Sequence, residues 1–133
     1  MPRPIYALGI GCERGCDPQE VLSLIERILK VAGVKASDVI GIYSIDQRRS
    51  EPALLQAAEY FGLPLTFFSA ESLEEQTPRL LNPSERVFAL VGCHGVAEAA
   101  ALAAAGSDGV LVVGKTKSAH ATGALAEIGE LRQ

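Results

Sequence analysis

Apolar residues in this chain gather into short continuous runs, separated by longer stretches in which they recur at helical spacing. Ile5–Ile10 is the first run and closes on Gly9-Ile10-Gly11, which predicts a buried strand. Asp17-Pro18-Gln19-Glu20 follows. Asp at an N-cap, Pro at the first helical position and Glu at the third form a helix start. Val21, Leu22, Leu24, Ile25, Ile28, Leu29 and Ala32 then mark one apolar face, and Gly33 stands where a helix-terminating glycine belongs. Val39–Ile45 predicts a second strand. Ser50-Glu51-Pro52 opens a second helix, capped at Ser50 and stopped by Gly62. Leu65–Phe68 predicts a third strand, and Ser69 caps a brief helical turn over Ala70–Glu75. Another short helix starts at Pro83-Ser84-Glu85 and runs to about Val91, and an Ala-rich helix spans Val96–Ala105. Val110–Val113 is the fourth strand, Gly114–Ala119 a loop, and Ala121–Ile128 a last strand whose Ala content would also suit a helix.

Strands alternating with helices predict an α/β fold. The expected architecture is a three-layer α/β/α arrangement around a five-stranded mixed, mainly parallel sheet. The last two strands are joined too tightly for a crossover helix and are expected to pair antiparallel. The 133 residues read as a single domain, long enough to bury a substantial core. Aromatics are only 5% and Trp is absent, so Ala, Leu, Val and Ile must fill that core.

Charge changes the picture more than composition does. The net charge of −4 argues against nucleic acid as a partner, because neutralising phosphates needs a basic face. No apolar run approaches the roughly 20 residues of a membrane span, so no membrane partner is expected. The N-terminal stretch reads as a strand rather than a signal peptide. Three cysteines, an odd number, fit a reducing compartment, and the cytoplasm is the expected location. Yet Arg14, Arg48, Arg49, Lys115 and Lys117, five of twelve basic residues, fall in segments expected to follow strands. In an open α/β sheet such loops converge at the carboxyl edge of the strands, where ligands bind. The expectation is an anion site for a molecule with several negative groups.

Four segments carry candidate chemistry. Gly9-Ile10-Gly11-Cys12-Glu13-Arg14-Gly15-Cys16 joins the first strand to the first helix, where glycines and free helix-start N–H groups favour an anion. Its G-x-G-x-x-x-G spacing misses the dinucleotide fingerprint and no P-loop lysine follows, so neither NAD nor ATP is expected. Asp46 stands at a strand end, as a general acid/base or as the orienter of a nearby arginine, with Arg48 and Arg49 beside it. His94 lies in a glycine-flanked loop, as a proton shuttle or a plain surface residue. Lys115 and Lys117, with Thr116 and Ser118, suit a carboxylate or phosphate, or form only a charged tip. Cys12, Cys16 and Cys93 lack zinc-site spacing, so no metal or other cofactor is expected; Cys16 at a helix start is a candidate for a lowered pKa.

GIGCERG, SIDQRRSEPAL, FGLPLTFFSAE, GVAEAAAL and LVVGKTKS occur in an order and spacing that resemble the C-terminal domain of the cobalamin-biosynthesis protein CbiG, and most nearly its free-standing form from the aerobic route. The resemblance covers nearly the whole chain. It implies precorrin or corrinoid ligands, flat macrocycles fringed with acetate and propionate carboxylates, and other pathway enzymes as partners. Matching positions are Gly9, Gly11, Cys12, Arg14 and Gly15, then Asp46 and Glu51, Ser69, Glu98, and Lys115, Lys117 and Ser118. Relatives tend to have Ser where Gly95 stands and Gly-Gly where Ala119-His120 stands. The resulting expectation is a carrier or accessory factor for a precorrin intermediate, with Gly11, Cys12, Arg14, Gly15, Arg48, Ser69, Lys115, Lys117 and Ser118 as binding residues. The alternative is a hydrolase acting on a precorrin lactone or ring-contraction intermediate, with Asp46, Glu98 or His94 as acid/base groups.

Overall fold

The computed structural model describes residues 3–129. In chain order the elements are β1 (Tyr6–Cys12), α1 (Pro18–Ala32), β2 (Val39–Ile45), α2 (Pro52–Phe61), β3 (Leu65–Phe68), α3 (Ala70–Glu74), α4 (Glu85–Val91), α5 (Ala97–Ala105), β4 (Val110–Lys117) and β5 (Ala121–Glu127). Three short 3-10 turns connect some of them. Among the described residues, no helix is long and apolar enough to cross a membrane.

Local chemistry explains most boundaries. Asp17 caps α1 by accepting from the Gln19 N–H, and Pro18 occupies the first turn. Gly33 ends the helix in the left-handed region at φ 68°, where a side chain would be strained. Gly62 ends α2 in the same way. At the start of α2, Glu51 rather than Ser50 holds the N-cap position, and its side chain makes no capping bond. The Glu51 carboxylate accepts instead from the Gly15 N–H at 3.0 Å, which fastens the loop after β1 to α2.

The sheet order is β3-β2-β1-β5-β4. β1, β2 and β3 pair in parallel, while β5 pairs antiparallel with both β1 and β4. β4 therefore runs the same way as β1, and only β5 is reversed. Helices α1 and α2 pack together on one face, over a core that includes Leu8, Ile10, Ile25, Ile28, Ile42 and Leu54. Helix α5 covers the other face, against β1, β5, β4 and β2. The result is the α/β/α sandwich expected from the alternation of strands and helices.

Helix α5 is buried on nearly every side, from Ala97 through Leu102. Its run of alanines lets the backbone lie close to the sheet. Gly9 completes the fit, because a Cβ there would stand 2.0 Å from the Ala97 carbonyl oxygen and 2.8 Å from the Ala101 nitrogen. Gly9 thus serves the approach of a helix, not the approach of a ligand as its glycine-rich context predicts.

Two strands are longer than their apolar runs indicate. β1 continues through Gly11 and Cys12, and β4 through Gly114 to Lys117. β5 supplies the reason: its first residues pair with both ends, Ala121 with Cys12 and Thr122 with Gly11 and Lys117. Lys115 and Lys117 consequently stand in a strand rather than a loop, and the connection shrinks to Ser118–His120.

Candidate functional site

From β1 the chain steps outward to β2 and β3 through α1 and α2, then returns across the other face to β4. The strand order reverses beside β1, and in open α/β sheets a crevice forms at such a switch, outside the carboxyl ends of the strands. A cleft of about 620 Å³ lies there. Its sheet edge comprises Gly11 and Cys12 from β1, Ile45 from β2, Lys115 and Lys117 from β4, and Ala121 and Thr122 at the start of β5. The N-terminal turn of α5, from Gly95 to Glu98, forms another side, and α4 contributes Arg86, Val87 and Leu90.

The cationic groups of the cleft come from three separated segments: Arg48 after β2, Arg86 on α4, and Lys115 with Lys117 on β4. Arg48 is held in place, its Nε donating to the Cys12 carbonyl at 2.7 Å. Lys115 and Lys117 are two positions apart on one strand. Partial burial first, and the Lys117 charge second, hold the Lys115 ammonium below the ordinary lysine value, against the opposing pull of Glu98. Two ammonium groups crowded in this way are relieved by a bound anion.

Glu98 is 2% exposed and organises this wall. Its Oε1 accepts from the Leu81 and Asn82 N–H groups, each at 3.0 Å. Its Oε2 accepts from Asn82 Nδ2 and from the Lys115 N–H, each at 2.8 Å. Four donors on one carboxylate make Glu98 an anchor that joins the segment before α4, α5 and β4. That occupancy runs against its expected role as an acid/base group. The register of β4 shifts on either side of Val113, and this irregularity brings the Lys115 amide to Glu98. A Cβ on Gly114 would stand 3.2 Å from the Glu98 carboxylate, so a small residue suits the contact.

Other expected site residues are placed differently. Arg14 and Asp46 lie outside the main cleft, in a neighbouring hollow of about 200 Å³ that also includes Arg48, Arg49 and Glu51. Arg48 borders both hollows, whereas Arg14 and Asp46 line one and Lys117 the other. Asp46 pairs with Arg49 at 2.5 Å, which matches the arginine-orienting option of its sequence reading. Gly15 adopts φ 76° and its N–H is already bound to Glu51. Ser69 is the N-cap of α3, accepting from the Ser72 N–H, and does not border the cleft. The helix N-terminus that does reach the cleft belongs to α5, not α1; Val96 at its start gives no side-chain cap.

His94 lies beside the cleft without lining it. Its Nδ1 contacts Glu74 at 2.9 Å, its Nε2 faces Glu85 at 3.3 Å, and its ring stacks on Phe88 with centroids 4.4 Å apart. Its N–H also donates to Glu74, and its carbonyl accepts from the Ser84 N–H. The hydrogen bond to Glu74 outweighs desolvation and raises the His94 pKa above the ordinary value. These contacts make it a tie between α3 and α4, with both ring nitrogens facing carboxylates, which is neither the free proton shuttle nor the plain surface residue that the sequence offered.

Cys12, Cys16 and Cys93 are free thiols. Burial, followed by nearby carboxylates, pushes Cys16 up to about 11, which overturns the lowered value expected from the helix start. Cys12, on the cleft wall, is pushed up to about 12, first by burial. Neither thiol is a ready nucleophile. Among the described residues, no group of three or more His, Cys, Asp and Glu side chains gathers to hold a metal ion.

Four residues were given no part in the site by the sequence reading: Arg86, Asn82, Glu20 and His120. Glu20, in the first turn of α1, accepts from the Ser118 hydroxyl, the His120 N–H and His120 Nδ1. These bonds hold the Glu20 carboxyl at about 2. Ser118 and His120 line the cleft, so this network fixes the β4–β5 turn at its rim.

Fold and cleft together define an α/β/α protein with a cationic, half-apolar crevice at the switch point of a mixed sheet. The chain belongs to the family described as cobalamin synthesis G C-terminus, which it matches over residues 6–126. It is 53% identical over 125 residues to Protein CobE of Sinorhizobium sp, covering 94% of this chain and 81% of that protein. It is 31% identical over 118 residues to the cobalt-precorrin-5A hydrolase of Priestia megaterium, covering 89% of this chain and 31% of that protein. The crystal structure of CobE, a protein from the cobalamin biosynthetic pathway, superposes with a TM-score of 0.88 at 37% identity, covering 99% of this chain and 98% of the other.

Proposed function

We propose that the cleft binds a precorrin-type tetrapyrrole of cobalamin biosynthesis, and that the protein carries or presents this intermediate to other enzymes of the pathway. The observation that carries the reading is the meeting of Arg48, Arg86, Lys115 and Lys117 around one crevice in a protein of net charge −4. A precorrin is a flat apolar ring edged with carboxylates. Leu90, Val87, Val96 and Ile45 offer an apolar wall for the ring. The arginines and lysines suit its fringe, arginine as a planar fork and lysine as a point charge.

Glu98 contributes indirectly, by fixing the backbone on which Lys115 stands. Arg14 and Arg49, in the adjoining hollow, extend the positive rim toward a peripheral carboxylate.

A second reading, turnover of the intermediate, has one specific support: the likeness to a cobalt-precorrin-5A hydrolase, of which this chain spans 31%. Against that reading, the Cys12 and Cys16 thiols are held protonated, and Glu98, Asp46 and His94, the acid/base groups it would use, are engaged elsewhere.

Mixing the protein with a pathway intermediate and recording the visible spectrum tests both. A stable one-to-one coloured complex supports carriage. A chromophore changed by a sub-stoichiometric amount of protein establishes turnover. An unaltered spectrum, with no complex at any ratio, overturns the binding proposal.

A further inference from the structure

Of the two histidines in the chain, one stands on the cleft. His120 sits in the three-residue turn between β4 and β5, and its position is over-determined. Its backbone N–H donates to Glu20, its carbonyl accepts from the Glu13 N–H at 2.9 Å, and its Nδ1 meets Glu20 Oε1 at 3.0 Å. Its Nε2 has no hydrogen-bond partner among the described residues. The side chain is 57% exposed, yet its ring is aimed by a carboxylate that is itself only 18% exposed.

We propose that His120, aligned by Glu20, is an ionisable anion contact at the cleft rim, whose Nε2 donates to a carboxylate of the bound molecule when the ring is protonated. The proposal deepens the tetrapyrrole reading and rests on it for the identity of the ligand, but not for the contact itself.

The charged groups acting on the ring are Glu20 on α1 and Glu13 in the connection after β1; Lys117, at the end of β4, lines the same cleft. Arg27 on α1 donates to the Lys117 carbonyl at 2.8 Å and steadies the same strand. The hydrogen bond to Glu20, then the charges of Glu20 and Glu13, raise the His120 pKa above the ordinary value. With Nδ1 bound to Glu20, protonation places the second N–H on Nε2. The neutral ring offers no donor at that atom. The contact is therefore present at low pH and lost as pH rises through the histidine's own pKa. Arg48, Arg86, Lys115 and Lys117 line the same cleft, so the histidine tunes affinity rather than creating it. The expected gradient favours release of a polycarboxylate in a more alkaline setting.

The test needs no knowledge of the natural intermediate. His94, clamped between Glu74 and Glu85 outside the cleft, is an internal control. In proton NMR, citrate added at pH 6 should shift the His120 ring signal saturably and leave that of His94 in place. Absence of a citrate-dependent shift at His120 overturns the contact. The second arm uses uroporphyrin, an eight-carboxylate porphyrin, and the substitution His120→Asn, whose amide can replace Nδ1 in bonding Glu20 but leaves nothing at the Nε2 position. The variant should bind uroporphyrin about twofold to fivefold more weakly than the parent at pH 6, and equally at pH 9. Equal affinity at both values removes His120 from tetrapyrrole binding. A citrate shift at His120 in a parent protein that ignores uroporphyrin leaves the anion contact standing and overturns the tetrapyrrole reading instead.

Discussion

The two sides of the cleft use the same kinds of residue to opposite ends. On the α5 side, polar groups are satisfied inside the protein: Glu98 holds four donors, and nearby His94 is bracketed by Glu74 and Glu85. On the side of the β4–β5 turn, the Lys115 and Lys117 ammonium groups and His120 Nε2 stand at the rim without an internal acceptor among the described residues. For the two histidines the difference lies in the partners and not in the residue type. A carboxylate or imidazole whose bonding positions are all taken builds the wall; one with a free position can meet a ligand. Residue type and loop position alone pointed to His94, whose ring nitrogens are both taken by carboxylates.

The contrast is sharpest if the wall is removed. Replacing Glu98 by Ala strips four N–H donors of their acceptor in a site that is 2% exposed. The expected loss is about 3 kcal/mol or more of folding stability, measured by urea unfolding. A variant with an unchanged midpoint would mean that water replaces the carboxylate freely. Gly9→Ala attacks the same wall from the sheet, pushing a methyl group into the α5 backbone. A loss of about 2–3 kcal/mol is expected, again from urea unfolding. An unaffected Gly9→Ala protein would mean that α5 moves off β1 without cost.

The opposite side should respond only to ligand. Lys115→Ala is expected to leave the urea midpoint close to that of the parent while weakening uroporphyrin binding by about 1–2 kcal/mol, with both affinities falling as salt is added. The reverse pattern, lost stability with intact binding, would erase the distinction between the two sides. The smallest effect is the pH response of the wall. The folded pKa of His94 is raised, so its stabilising contribution is complete below the unfolded value near 6.5 and is lost as pH rises through the higher folded value. Stability should decline over that interval in the parent and less so in His94→Ala. Parallel pH profiles would show that the ion pairs of His94 contribute nothing measurable.

Much of this architecture is legible in the sequence where local chemistry decides it. The Asp17-Pro18 start, the Gly33 and Gly62 stops and the limits of β2 and β3 follow from caps, left-handed glycines and apolar runs. The ends of β1 and β4 do not, because antiparallel pairing with β5 draws Cys12, Lys115 and Lys117 into the sheet against their own propensity. The convergence of positive charge was legible as well, since the carboxyl edge of the strands is common ground in this fold class. Which cations share the main hollow was not. Arg14 turns into the smaller one, and Arg86 arrives on a helix that carries no buried residue to mark its facing. The Glu20–His120 pair spans 100 positions and leaves no trace in any local pattern.

The central claim, that separated cations form one tetrapyrrole site, is tested most directly by a crystal structure of the protein with uroporphyrin bound. The account predicts the ring against the apolar wall of α4 and α5, with its carboxylates on Arg48, Arg86, Lys115 and Lys117. A porphyrin seated on another face of the protein, with these four side chains untouched, would contradict it.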